Sequence, residues 1–148
     1  LDNRIDIIAT DHAPHTSEEK GKVYTAAPSG GPLVQHSVVA MFELARKGGI
    51  TIPRVVEKMS HAPATCFRVI DRGYIREGYF ADLALVDANR PWTVSSANIL
   101  AHCGWSPFEG TLFHSQVTHT LVSGRLVWQN GALIEGPGGC RLTFKGWD

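Results

Sequence analysis

Residues 5–15 read IDIIATDHAPH, and this segment carries the clearest structural signal in the chain. Its short apolar run does not strictly alternate, which predicts a strand buried on both faces, as in a parallel sheet. The run ends at Asp11, and (β/α)8 barrels place catalytic groups at the C-terminal ends of their strands. An Asp-His pair in a turn also serves as a structural cap, so the residue types alone leave both interpretations open.

Residues 12–32, which overlap the end of this segment, contain three prolines among scattered polar residues and predict a long loop. Loops of this length inside a compact domain are usually functional. Apolar residues at helical spacing then predict a helix that ends at Gly48-Gly49. A second helix is predicted after the N-cap Thr51, with Pro53 in its first turn, and a short third helix near Pro63.

Beyond Arg72-Gly73 the pattern changes to short strands and turns. Residues 82–87 predict a strand, and Ser123-Gly124 predicts a tight hairpin between two further strands. The pattern therefore favours an α/β plus β fold. Residues 1–70 are predicted to hold the last βα unit of an α/β domain, and residues 71–148 a small β-rich domain.

Composition excludes several classes of protein. Lysine plus arginine equals aspartate plus glutamate, 14 against 14, so nothing indicates a nucleic-acid surface. No apolar run approaches the roughly 18 residues that span a membrane. The start, from Leu1, has no initiator Met and no signal-peptide pattern, and we interpret it as a cut end. Three widely spaced cysteines predict reduced thiols and a cytoplasmic location.

Five segments, in order, resemble the dihydroorotases of the amidohydrolase superfamily. They are TDHAPHT with EEK (residues 10–20), APSG (27–30), DRGYI with EGY and ADL (71–83), CGWSPFEG (103–110) and VSGR (122–125). The CGWSPFEG segment favours dihydroorotase over hydantoinases and allantoinases, which share the barrel and the strand-end aspartate. The resemblance implies the last βα units of a (β/α)8 metal-dependent hydrolase barrel joined to a small C-terminal β-rich domain, a composite sandwich.

The resemblance also implies roles for individual residues. Asp11 matches a zinc ligand that acts as general base and then general acid while the ring amide is hydrolysed. His15 matches a residue that contacts the substrate carboxylate, and Ser29 and Gly30 match a segment whose backbone touches the bound ring. The implied reaction interconverts dihydroorotate and N-carbamoyl-aspartate in pyrimidine synthesis. The resemblance further implies that the protein is a cytoplasmic homo-oligomer and that it associates with aspartate carbamoyltransferase.

The chain departs from the family pattern in places. Ser29 stands where a bulkier residue is common, residues 31–36 lack an expected acid, and His61 replaces a common Asn. We interpret His12 as a brace of the loop, His36 as a surface or packing residue, and the other histidines as structural. Trp105 and Phe108 are predicted to anchor the barrel to the small domain, and residues 18–20 to form a solvated face of a mobile loop.

One predicted ligand is too few for a zinc site, which needs three or four. The family's His-x-His pair, further histidines, carboxylated lysine and carboxylate-gripping Arg and Asn are not found in the sequence. We therefore expect the 148-residue chain to be inactive alone. Two other functions stay open: an allantoinase or hydantoinase, and a non-catalytic dihydroorotase-like subunit.

Overall fold

The structure, a computed structural model, describes residues 3–146, so the predicted cut end at Leu1 lies outside it. It is a mixed α/β arrangement, which confirms the predicted fold class in this coarse form. Its helices are α1 (Ser17–Lys20), α2 (Ser37–Arg46), α3 (Ile52–Val56) and α4 (Ala62–Cys66). Within residues 3–146, no helix combines the length and apolar character that a bilayer crossing requires.

The helices follow the local sequence signals closely. A 3-10 turn, Val34–His36, leads into α2. The helix ends at Arg46, and Gly48, two residues later, has a φ of +79°. The Thr51 hydroxyl caps α3 by accepting the Arg54 amide at 3.4 Å. A π turn, Glu57–His61, joins α3 directly to α4, so the second and third predicted helices form one continuous run.

The strand predicted at the start of the chain does not form, and that prediction is wrong for this chain. Residues 5–10 belong to no strand. The Ile8 amide donates instead to the carbonyl of Lys58, at 3.0 Å, in the π turn. A parallel strand exists only as part of a ladder with neighbouring strands, and this segment lies against a helical run.

The predicted strands of the second half do form. A four-stranded antiparallel sheet has the order β1-β4-β5-β6, and a separate pair joins β2 to β3. The strands are β1 (Leu83–Asp87), β2 (Trp92–Thr93), β3 (Leu112–Phe113), β4 (Gln116–Val122), β5 (Arg125–Gln129) and β6 (Ala132–Leu133). Ser123-Gly124 and Asn130-Gly131 have positive φ at both positions, as two-residue hairpin turns require.

The two halves of the chain share one hydrophobic core. Val39 of α2 packs with Val94 and with Phe113 of β3, and each of the three side chains is at most 2% exposed. The predicted domain boundary at residues 70 and 71 stays a prediction, but this core draws side chains from both sides of it.

Two of the five segments that resemble dihydroorotases contact each other: DRGYI with ADL (71–83) and VSGR (122–125). The buried guanidinium of Arg72 pairs with Asp82 and lies 4.2 Å from the centre of the Phe80 ring. The Asp82 carboxylate accepts the Ser123 amide at 2.6 Å, and Gly124 donates to Ala81 at 3.0 Å. The DRGYI-ADL segment therefore holds the β4–β5 turn in place.

Candidate functional site

Asp11 lies at an unusual backbone conformation. Its φ is +44°, in the left-handed region that residues other than glycine adopt only uncommonly. Asp and Asn tolerate this region better than most residues. Its side chain is exposed, and the adjacent His12 forms a parallel bridge with Gly31. Strained positions of this kind cluster at functional sites, so the geometry supports a functional hypothesis for this carboxylate.

His15 stands beside a capped helix. Thr16 and Glu19 form a capping box: the Thr16 hydroxyl accepts the Glu19 amide at 3.2 Å, and the Glu19 carboxylate accepts the Thr16 amide at 2.8 Å. The bond from the Thr16 amide lowers the pKa of the Glu19 carboxyl most. The Thr16 hydroxyl also donates to this carboxylate, at 3.1 Å, and lowers its pKa further, with smaller contributions from His15 and Lys22. The His15 Nδ1 lies 3.7 Å from the Glu19 carboxylate, which holds the half-exposed imidazole at the start of α1.

The segment that contains Ser29 and Gly30 is joined to the Asp11–His15 turn. The Ala13 amide donates to the Gly31 carbonyl at 3.1 Å. Gly30 has a φ of +96°, and a Cβ added there would lie 2.6 Å from the Cβ of Ala13. Only glycine therefore fits this approach. The Ser29 side chain is exposed. The structure thus brings the Asp11–His15 turn and the Ser29–Gly30 segment together as one loop.

Lys20 closes this loop from the other side. Its ammonium group donates to the carbonyls of Pro28, at 2.8 Å, and Gly30, at 3.1 Å. The prediction that residues 18–20 are only a solvated face is therefore wrong for Glu19 and Lys20. The Thr-x-x-Glu spacing of a capping box was the available signal for Glu19. No local signal exists for Lys20, because its partners are eight and ten residues away.

The loop rests on two residues that the sequence suggested as supports. The His12 Nδ1 accepts the Val34 amide at 3.4 Å, which agrees with a bracing role. Trp105 donates from its indole nitrogen to the His15 carbonyl at 2.7 Å. Next to it, the Ser106 hydroxyl lies 3.2 Å from Nδ1 of His36. The CGWSPFEG segment therefore contacts the loop directly.

His36 is a packing residue at the centre of the core. The residue is 1% exposed. Its ring is stacked with the rings of Trp92 and Phe113, and the ring centroids are 5.9 and 6.2 Å away. Burial lowers the pKa of His36 below its ordinary value, so the ring is neutral at pH 7. Its Nε2 is buried, and no group within residues 3–146 forms a hydrogen bond with it.

Three further histidines, His61, His114 and His119, make contacts within the structure. His61 stacks on Tyr74 with ring centroids 4.3 Å apart, and His119 contacts the Thr118 hydroxyl at 3.0 Å. Nδ1 of His114 lies 3.0 Å from the Glu43 carboxylate, within hydrogen-bond distance. This hydrogen bond is the main reason that the pKa of Glu43 is lowered. The His61 and His114 contacts tie helical segments to neighbouring parts of the chain. Asp11 remains the predicted metal ligand of the loop.

Residues 3–146 do not by themselves fit a zinc ion. Nowhere among them do three or more His, Cys, Asp or Glu side chains come together closely enough to hold a metal. Structural and catalytic zinc sites use at least three protein ligands. The exposed carboxylate of Asp11 can supply one ligand at most, so any zinc site that includes it needs ligands from elsewhere.

Comparison with known proteins identifies the relatives of this chain. The model of the amidohydrolase family matches residues 2–127. The dihydroorotase of Pyrococcus abyssi is 36% identical over 148 residues, which make up 100% of this chain and 35% of that protein. The dihydroorotase of Halobacterium salinarum is 39% identical over 129 residues, covering 86% of this chain and 30% of that protein.

Solved structures give the same picture of the fold. The L-hydantoinase (dihydropyrimidinase) from Arthrobacter aurescens superposes with a TM-score of 0.82 at 27% identity, covering 88% of this chain and 30% of that one. The D-hydantoinase (dihydropyrimidinase) from Thermus sp. has a TM-score of 0.80 at 26% identity, covering 90% of this chain and 30% of that one.

These matches confirm the predicted resemblance, and they cover the C-terminal part of the curated relatives. The chain spans about a third of the length of those relatives. The family model covers most of the chain, from the Asp11 turn through the β4–β5 hairpin. The chain belongs to the amidohydrolase family.

Proposed function

We propose that this chain forms the C-terminal portion of a zinc-dependent dihydroorotase, which interconverts (S)-dihydroorotate and N-carbamoyl-L-aspartate in de novo pyrimidine synthesis. Relatives named dihydroorotase, at 36% and 39% identity, support this choice. The observation that carries it is the hydrogen bond from Ala13 to Gly31. It joins the Asp11–His15 turn to the Ser29–Gly30 segment, so the predicted proton-transfer group and the predicted substrate contacts belong to one loop.

The exposed carboxylate of Asp11 suits proton transfer in both directions. Zinc, when bound, polarises the amide carbonyl and lowers the pKa of water towards ~7. In hydrolysis Asp11 accepts a proton from the attacking water as the new C–O bond forms. It then delivers that proton to the ring nitrogen as the C–N bond breaks, and this nitrogen becomes the terminal amide of the carbamoyl group.

The same loop supplies groups for substrate binding. The half-exposed imidazole of His15 can present a ring N–H to the substrate carboxylate. The backbone around Ser29 and Gly30 can offer donors and acceptors to the planar imide part of the ring, because Gly30 carries no side chain to block the approach. The remaining zinc ligands, and further groups that hold the carboxylate, are expected from sequence outside residues 1–148.

The test is substitution of Asp11 in the full-length protein that carries this chain. Asp11→Asn keeps the size of the side chain but removes its ability to accept a proton, so we expect kcat for dihydroorotate to fall roughly 10²- to 10⁴-fold. Asp71→Asn is a matched control, because Asp71 is also an exposed aspartate with positive φ, at +54°. Steady-state kinetics would contradict the proposal if Asp11→Asn retained the activity of the control.

The second candidate is a hydantoinase or allantoinase, because the solved structures that superpose on this chain include hydantoinases. Assays of the same protein with hydantoin, dihydrouracil and allantoin beside dihydroorotate separate the two. The proposal expects the highest kcat/KM for dihydroorotate. Preference for another ring would support the second candidate, and absence of turnover on all of them would support a non-catalytic subunit.

A further inference from the structure

Trp105 bridges the two halves of the active-site loop. Its indole N–H donates to the His15 carbonyl at 2.7 Å, across 90 residues of sequence. On the other half, its Cη2 lies 3.7 Å from the position that a Cβ on Gly31 would occupy. Gly31 is buried and its carbonyl holds the Ala13 amide. We call these contacts, between Trp105, His15 and Gly31, the indole clasp.

The clasp is anchored in the core of the molecule. Ser106, next to Trp105, is 5% exposed, and its hydroxyl contacts Nδ1 of His36 at 3.2 Å and accepts the Phe108 amide at 3.2 Å. His36 is itself 1% exposed among aromatic rings. The backbone on one side of Trp105 is thus held by buried groups, which lets the indole act as a fixed reference for an otherwise exposed loop.

We propose that Trp105 is a positioning residue for substrate binding, a role that rests on the proposed function. The indole N–H sets the backbone of His15, and the ring lies against Gly31, the residue that follows Gly30. The clasp thus acts on the binding segments through His15 and Gly31. Loss of the N–H therefore affects the groups that bind the substrate more than the group that transfers the proton, and KM changes while kcat does not.

The decisive variant is Trp105→Phe in the full-length protein, which removes the N–H donor and keeps an aromatic ring. We expect KM for dihydroorotate to rise roughly fivefold or more, as for loss of one neutral hydrogen bond, with kcat within about twofold. Trp128→Phe is the matched control, because its indole also donates to a backbone carbonyl, that of Val117 at 3.3 Å, within the sheet. The control is expected to leave KM unchanged.

A double-mutant cycle links the clasp to His15. If Trp105 acts through His15, then Trp105→Phe adds little to KM in a His15→Ala background, because the positioned group is gone. Independent effects of the two substitutions on KM, or a fall in kcat with no change in KM, would overturn the positioning role.

Proteolysis separates failure of this inference from failure of the proposed function. Trypsin can cleave the loop after Lys20 and Lys22. If the full-length protein does not hydrolyse dihydroorotate, the proposed function fails, and the clasp is judged by cleavage alone. We expect Trp105→Phe to speed cleavage at these two lysines several-fold relative to Trp128→Phe. Equal cleavage rates in the two variants would overturn the clasp.

Discussion

Among single residues, His36 shows how burial changes the meaning of a side chain. The position precedes a helix, where an exposed histidine would be ordinary, yet the residue is 1% exposed. In the described part of the chain its Nε2 has no hydrogen-bond partner. Burial without a counter-charge penalises the protonated form, which is why the pKa of His36 is lowered. The residue therefore supports the loop through Ser106 as a neutral group.

This burial predicts a pH dependence of stability. Below pH 6.5 an unfolded imidazole binds a proton, whereas the buried ring does so only at its lower folded-state pKa. The free energy of unfolding should thus be fully retained above pH 6.5 and decline as the pH falls towards that lower pKa. Urea unfolding of the full-length protein between pH 7.5 and 5 should show a shallower decline for His36→Gln than for wild type.

His102→Gln is the control for this experiment, because His102 is exposed. The comparison uses the slope with pH and not the absolute stability, so a loss of packing in His36→Gln does not obscure it. Equal slopes in wild type and both variants would show that His36 does not contribute to the acid sensitivity.

At the scale of elements, the loop of residues 12–32 is held by contacts between its own halves. The capping box of α1, the two Lys20 hydrogen bonds and the Ala13–Gly31 hydrogen bond each close part of it. Gly30 lies where these contacts converge, and it is the position at which the loop has no room for a side chain.

Gly30→Ala is expected to disturb substrate binding as well as stability. Alanine at a φ of +96° is strained, and its Cβ would lie 2.6 Å from that of Ala13, so the two halves must separate. Gly78→Ala shares the positive φ, at +82°, but meets nothing within 4 Å. We expect a cost of about 1–2 kcal/mol for Gly78→Ala, from the left-handed backbone alone, with KM unchanged.

For Gly30→Ala, a larger loss of stability is expected together with a rise in KM on the order of tenfold or more, because displaced binding groups weaken substrate contacts. Chemical unfolding and steady-state kinetics of the two variants measure these effects. A KM for Gly30→Ala equal to that of Gly78→Ala would show that the Ala13 contact does not position the binding segment.

At the scale of the whole molecule, the chain exposes more surface than a compact monomer does. Its accessible area is 9990 Å², against roughly 7,400 Å² for a compact protein of this length. Large apolar side chains are among the exposed groups, including Tyr24 at 97%, Ile75 at 88% and Ile5 at 70%. We expect further protein to cover part of this apolar surface.

We expect the isolated 148-residue chain to bind zinc weakly and to show no turnover of dihydroorotate, because one carboxylate cannot replace three or four ligands. Isothermal titration with zinc and a ring-opening assay, each run beside the full-length protein, measure this. Tight one-to-one binding together with turnover by the isolated chain would contradict the expectation.

Features that depend on neighbours a few residues away could be predicted from the sequence. The C-terminal end of α2, the N-cap of α3 and the Ser123-Gly124 hairpin were predicted correctly, because helix stops, helix caps and positive-φ turns are short-range properties of the chain. The family resemblance was also recognisable, because its motifs are short and occur in order.

Only the tertiary structure decided what depends on distant partners. Residues 5–10 have the composition of a buried strand but form none, since a strand requires a neighbour and these residues meet the π turn. The burial of His36, the reach of Lys20 to Gly30 and the bond from Trp105 to His15 likewise join residues separated in sequence. Such contacts arise from packing, which no local pattern of residues encodes.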